Sequence, residues 1–135
     1  MKITIGKKEL KSEFLKLLER ISGEDLSKCY QCGNCSGGCP AAFAMEIAPH
    51  HVIRLLQLGQ EEPVLKANTM WLCVSCLQCS SRCPKFVDPA NILEALRQLS
   101  LRKGLDKVEI KKLPVEVLGG SPQMTLVAGF RKLVS

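Results

Sequence analysis

The stretch C-Y-Q-C-G-N-C-S-G-G-C-P, residues 29–40, places four cysteines within eleven positions and closes the last with proline. It returns as C-V-S-C-L-Q-C-S-S-R-C-P at residues 73–84. Both have the form C-x2-C-x2-C-x3-C-P, and each cysteine of the second run follows its counterpart by 44 residues. All eight cysteines of the 135-residue chain lie in these two runs. Aromatic residues make up only 4% of the chain, with Trp71 the single tryptophan, so the core needs an internal staple. The cysteines are the only residues placed to supply one.

Their spacing selects the chemistry. A structural zinc site draws two ligands from each of two C-x2-C pairs, because a tetrahedral ion needs no more. Here each run offers three cysteines at a strict spacing of three and a fourth four residues later. That pattern wraps one face of an iron–sulfur cubane. In the two-cluster ferredoxin arrangement the fourth cysteine ligates the other cluster. The expected ligands are therefore Cys29, Cys32, Cys35 and Cys83 for a first [4Fe–4S] cluster, and Cys73, Cys76, Cys79 and Cys39 for a second. Zinc and iron–sulfur centres of purely structural use are the competing readings.

Eight cysteines behind an opening M-K-I-T-I-G-K-K, which has no apolar signal region, favour metal or redox chemistry over disulfides. With no apolar run of membrane-spanning length, the expected setting is the cytoplasm. The net charge of +6 counts the cysteines as neutral; two clusters of about −2 each would bring it near +2. The basic residues are dispersed and no stripe of them alternates with aromatics. Nucleic acid is thus not an expected partner, and an acidic protein surface is. No phosphate loop, nucleophile elbow or acid–base carboxylate pair is present, so no catalytic residue is assigned to the chain itself. His50 and His51, adjacent at a helix start, read as structural or exposed, and Trp71 as packing beside the second run.

The remaining pattern is helical. Leu10, Phe14, Leu17, Leu18 and Ile21 mark one face of a helix over residues 9–21, stopped by Gly23. Pro49 opens a helix ending at Gly59, Pro63 a shorter one, and Asp88-Pro89 caps a helix with Ile92, Ala95, Leu96 and Leu99 inward. The fold class is all-α, an α-helical ferredoxin domain binding two [4Fe–4S] clusters, with extended terminal arms. Residues 1–8 form the N-terminal arm, 9–104 the two-cluster domain and 105–135 the tail. Within that tail, 105–120 read as extended, and 121–134 as a helix that docks a partner or folds back.

The two runs, together with P-H-H-V-I-R-L-L-Q-L-G, W-L-C and N-I-L-E-A-L-R, resemble the C subunit of heterodisulfide reductase over residues 9–103. The cysteine runs alone are shared with the helical ferredoxin domains of succinate dehydrogenase, glycolate oxidase and glycerol-3-phosphate dehydrogenase subunits. The resemblance implies an electron-transferring subunit of an oxidoreductase complex. It would relay single electrons between an A subunit with FAD and further clusters and a B subunit with Cys-Cys-Gly motifs. In that family the B subunit holds the site where the disulfide of coenzyme M and coenzyme B is cleaved, a step of methanogenesis. The alternatives are an iron–sulfur subunit of another dehydrogenase or fumarate-reductase-like complex, and a free ferredoxin-type carrier.

Overall fold

Ser12 opens the first helix of the computed structural model, which describes residues 12–135. Its hydroxyl accepts the Leu15 N–H at 3.1 Å, capping α1 (Glu13–Ser22). Gly23 ends it in the left-handed conformation at φ 72°, with its N–H on the Glu19 carbonyl. The face differs from the one the sequence suggests. Leu15 and Leu18 are buried, whereas Leu17 is 40% exposed. Leu17 sits about 100° around the helix from Leu18, so a stripe that buries the pair Leu15 and Leu18 turns Leu17 outward. Residues 1–8 and the helix start expected at residue 9 lie outside the described residues.

The chain divides into a first unit ending at Leu96 and a second from Arg97 to Ser135. In the first unit, a 3₁₀ turn (Leu26–Lys28) leads into the first cysteine run, which contains α2 (Asn34–Gly37). After a second 3₁₀ turn (Ala42–Ala44) come α3 (Pro49–Gln57), α4 (Glu61–Lys66) and α5 (Thr69–Leu72). The second run contains α6 (Gln78–Ser81). α3 packs on α4 and on the 26–28 turn, and α2 packs on both α3 and α6. Val52, Ile53 and Leu56 of α3 are buried with Leu18, Leu26, Val64 and Met70. Each such side chain contributes about 1.5–3 kcal/mol on leaving water.

α4 starts at Glu61 rather than at the expected Pro63. Proline is harmless there, since the first four N–H groups of a helix have no intrahelical acceptor. α7 (Pro89–Leu101) starts as expected: the Asp88 carboxylate accepts from Ala90 N–H at 2.9 Å and Asn91 N–H at 3.3 Å. Ile92, Ala95, Leu96 and Leu99 are all buried, as their spacing predicts.

The second unit holds a 3₁₀ turn (Ile110–Lys112), α8 (Val115–Gly120) and α9 (Gln123–Leu133). α8 replaces part of the segment expected to be extended. Pro114 supplies its start, with its carbonyl accepting from Val117 and Leu118. α9 follows Pro122 as expected, and neither helix has a buried residue. The chain end turns back, with Lys107 N–H on the Leu133 carbonyl and Ser135 N–H on Asp106. Among the described residues there is no strand, and no helix is long and apolar enough to cross a membrane.

Candidate iron–sulfur site

The 44-residue repeat extends from the cysteines into the backbone. Gln31 and Gly33 have φ of 66° and 80°, and their counterparts Ser75 and Leu77 have 54° and 60°. Gly33 O accepts from Ser36 and Gly37, as Leu77 O does from Ser80 and Ser81. Cys39 N–H reaches Ser36 O and Cys83 N–H reaches Ser80 O, each at 3.2 Å. After each Cys-Pro, the cysteine carbonyl accepts a turn-closing N–H, from Ala42 in one copy and Phe86 in the other. Left-handed residues flanking a cysteine coil the chain tightly and turn its N–H groups towards one concavity, the geometry that favours an anionic group. Three of these four positions carry side chains, a strain of roughly 1–2 kcal/mol at each that the rest of the fold must offset.

The run 73–83 supplies the clearer half. Cys73, Cys76 and Cys79 line one pocket together with Cys39 from the other run. Pro40, Ala41, Met45, Pro49, Leu77 and Leu93 complete an almost wholly apolar wall. Among the described residues no three His, Cys, Asp or Glu side chains converge closely enough to hold one ion.

Around the first run, the Tyr30 phenol is held above its ordinary pKa by partial desolvation, then by its hydrogen bond to Cys32 and the charges of Cys32, Cys83 and Cys29. Burial pushes the Cys35 thiol up against the opposing Ser36 bonds, with Cys29 and Cys79 adding to the rise. Burial likewise raises Cys79, assisted by Asp88 and Cys73. A bound metal reverses this, because coordination deprotonates a thiol outright. Among the donors that reach sulfur, Gln31 Nε2 lies 3.4 Å from Cys29 Sγ, and Val87 N–H 3.3 Å from Cys83 Sγ.

His50 takes a structural role. Ser36 Oγ accepts the His50 backbone N–H at 3.0 Å and shares a second hydrogen bond with His50 Nδ1 at 2.6 Å. Burial, then the neighbouring His51, lowers the His50 pKa and favours the neutral ring. His51 is exposed and Trp71 half-buried.

Several side chains that hold the site carry no signal in the sequence. Gln57 Nε2 donates to the carbonyls of Leu26 and Cys29, at 2.7 and 2.9 Å, fixing the entrance to the first run from α3. Glu24 accepts from Asp88 N–H at 3.0 Å and Asn91 Nδ2 at 3.5 Å, joining the entry of one run to the exit of the other. Glu46 and Asn68 exchange side-chain-to-backbone bonds, and Thr69 Oγ1 both accepts from Ile47 N–H and donates to Ile47 O. These partners stand 22 to 67 residues apart, beyond any local pattern.

Residues 25–87, which contain both runs, match the family described as the 4Fe-4S dicluster domain. The iron–sulfur C subunit of the CoB–CoM heterodisulfide reductase of Methanopyrus kandleri is 33% identical, over 74% of this chain and 56% of that protein. A corresponding C subunit of Methanocaldococcus jannaschii is 34% identical over 72% and 54%. The C subunit of the ferredoxin:CoB–CoM heterodisulfide reductase of Methanosarcina mazei is 32% identical over 81% and 66%. The chain is a homologue of the heterodisulfide reductase C subunit. It spans between about half and two thirds of the length of these relatives. All eight cysteines fall inside the residues that match the 4Fe-4S dicluster domain.

Proposed function

We propose that the chain is the electron-transfer iron–sulfur subunit of a heterodisulfide-reductase-type oxidoreductase complex in the cytoplasm. In this reading it holds two [4Fe–4S] clusters, the first on Cys29, Cys32, Cys35 and Cys83, the second on Cys73, Cys76, Cys79 and Cys39. One observation carries the assignment: Cys39, from the first run, lines the same apolar cavity as the three cysteines of the second. The reciprocal crossing would bring Cys83 to Cys29, Cys32 and Cys35, and Cys83 is among the thiols whose charge acts on Tyr30. Each cluster supplies one electron at a time when bound. The chain's residues hold the thiols, exclude water from the second cradle and place N–H donors on the first.

Reducing a disulfide to two thiols takes two electrons and two protons. A relay with two adjacent one-electron centres suits that demand, and the chain itself shows no substrate chemistry. Its partners in this proposal are an A subunit with FAD and iron–sulfur clusters, and a disulfide-reducing B subunit with Cys-Cys-Gly motifs. The two-cluster domain occupies residues 9–104, and residues 105–135 form a tail whose α9 exposes Met124 and Val127 for docking.

The test is anaerobic purification from the native host, with iron, sulfide, zinc and flavin measured in whatever co-elutes. About eight iron and eight sulfide per chain, with a flavoprotein and a Cys-Cys-Gly protein, is the expected result. Eight iron in an isolated monomer would instead make the chain a free carrier, co-elution with another dehydrogenase would move it to that complex, and zinc would overturn the reading.

A further inference from the structure

The two Cys-Pro turns close on different residues, and the difference lies at the surface. The first closes on Ala42, followed by Phe43, which is 92% exposed; the second closes on Phe86, which is 91% exposed and, unlike Phe43, is left-handed at φ 55°. A phenyl ring held in water on a left-handed residue is unfavourable on both counts for a chain alone in solution. Its neighbour Lys85 places Nζ 6.0 Å from the centre of the Tyr30 ring, which is itself 57% exposed. Tyr30 in turn hydrogen-bonds Cys32, an exposed thiol, and feels the charges of Cys83 and Cys29.

A second cation flanks the same thiol. The Arg82 side chain crosses Gly38 so closely that a Cβ there would stand 2.5 Å from its Cδ. With Cys32, Gly33, Asn34 and Gly37 it lines one open concavity. Among the described residues neither Arg82 nor Lys85 has a salt-bridge partner. The acids nearest in the chain are engaged internally: Glu24 with Asp88 N–H, Asp88 with Ser80 and Ala90, and Asp25 with Ser27. The exposed thiol of the other set, Cys76, is flanked by exposed but uncharged residues, Val74, Ser75, Leu77 and Gln78, and the run from Cys73 to Ser81 carries no charged residue. The two edges therefore differ in chemistry.

We propose that the edge at Cys32, framed by Tyr30, Arg82, Lys85 and Phe86, docks an acidic protein: a redox partner presenting carboxylates around an apolar patch that accepts the Phe86 ring. Charge complementarity sets the partner's sign and steers the encounter, while the ring fixes the register. The proposal rests on the reading that the first run holds a cluster.

The probe is an acidic plant-type ferredoxin, reduced and mixed in a stopped-flow instrument with the oxidised full-length holo-protein. Basic cytochrome c, mixed with the reduced form, is the control. Iron content and EPR signals are checked first, so loss of the clusters sinks the functional reading and is seen separately. With clusters intact, the ferredoxin rate should fall with added salt. It should drop about tenfold in the Arg82→Gln/Lys85→Gln double variant. Lys103→Gln, from the second unit, should change it less than about twofold. Phe86→Gly should slow the reaction while leaving the melting temperature unchanged or higher, since glycine accepts the left-handed conformation. Equal slowing by Lys103→Gln, equal slowing towards cytochrome c, or an unaltered ferredoxin rate in the double variant would overturn the proposal. So would a single-stranded oligonucleotide that binds this face in preference to the ferredoxin.

Discussion

Gln31 combines two costs that only a loaded site repays. Its backbone is left-handed at φ 66°, and its side-chain amide lies 3.4 Å from Cys29 Sγ. A donor aimed at a cluster sulfur stabilises the more negative, reduced state and raises the potential. Ser75, its counterpart in the repeat, is too short to carry an amide to the equivalent sulfur. Gln31→Leu keeps the size and removes the donor. In a redox titration followed by EPR, one of the two potentials should move to more negative values while the other stays in place. A common shift of both would mean that the amide acts through the fold rather than through Cys29. The cysteines themselves were legible in the sequence because ligand spacing is a local property. The role of Gln31 was not legible, because nothing local distinguishes a glutamine that reaches a sulfur from one that reaches water.

At the scale of elements, the segment between the runs must return to its start, and a small hydrogen-bonded brace closes it. Glu46 pairs with Asn68, and Ile47 with Thr69, just before α3 and at the start of α5. Thr69 is 1% exposed, and its hydroxyl satisfies both backbone groups of Ile47. Thr69→Val retains the shape and leaves those groups unpaired, at about 1–3 kcal/mol. The variant should show a lower urea midpoint and faster loss of cluster absorbance under a chelator. Glu62→Gln, which breaks the exposed i,i+4 pair with Lys66, should leave the midpoint almost unchanged. If the two variants are indistinguishable, the brace does not hold the runs together. Helix ends set by local chemistry, at Gly23, Pro49 and Asp88-Pro89, were readable beforehand. The brace was not, since its partners are 22 residues apart, nor was α8, a short helix without an apolar period. The face of α1 was misjudged because Leu15 and Leu17 compete for the interior and only packing decides between them.

For the whole molecule, crossed ligation makes a prediction that a tandem of independent sites would not. If Cys39 completes the centre of Cys73, Cys76 and Cys79, its loss must damage the second cluster and leave the first run's own cluster intact. Cys39→Ala should then reproduce the EPR signature and potential change of Cys76→Ala. Cys83→Ala should reproduce those of Cys32→Ala. Independent sites reverse the pairing, with Cys39→Ala resembling Cys32→Ala. The comparison needs no prior assignment of either signal, because each variant is matched only to another variant. The cavity lined by Cys39 and the second run favours the crossed outcome. The same crossing would staple a thin apolar core. If each cluster joins cysteines of both runs, which repeat 44 residues apart in the chain, losing either one should loosen both runs and lower the stability of the cluster that remains.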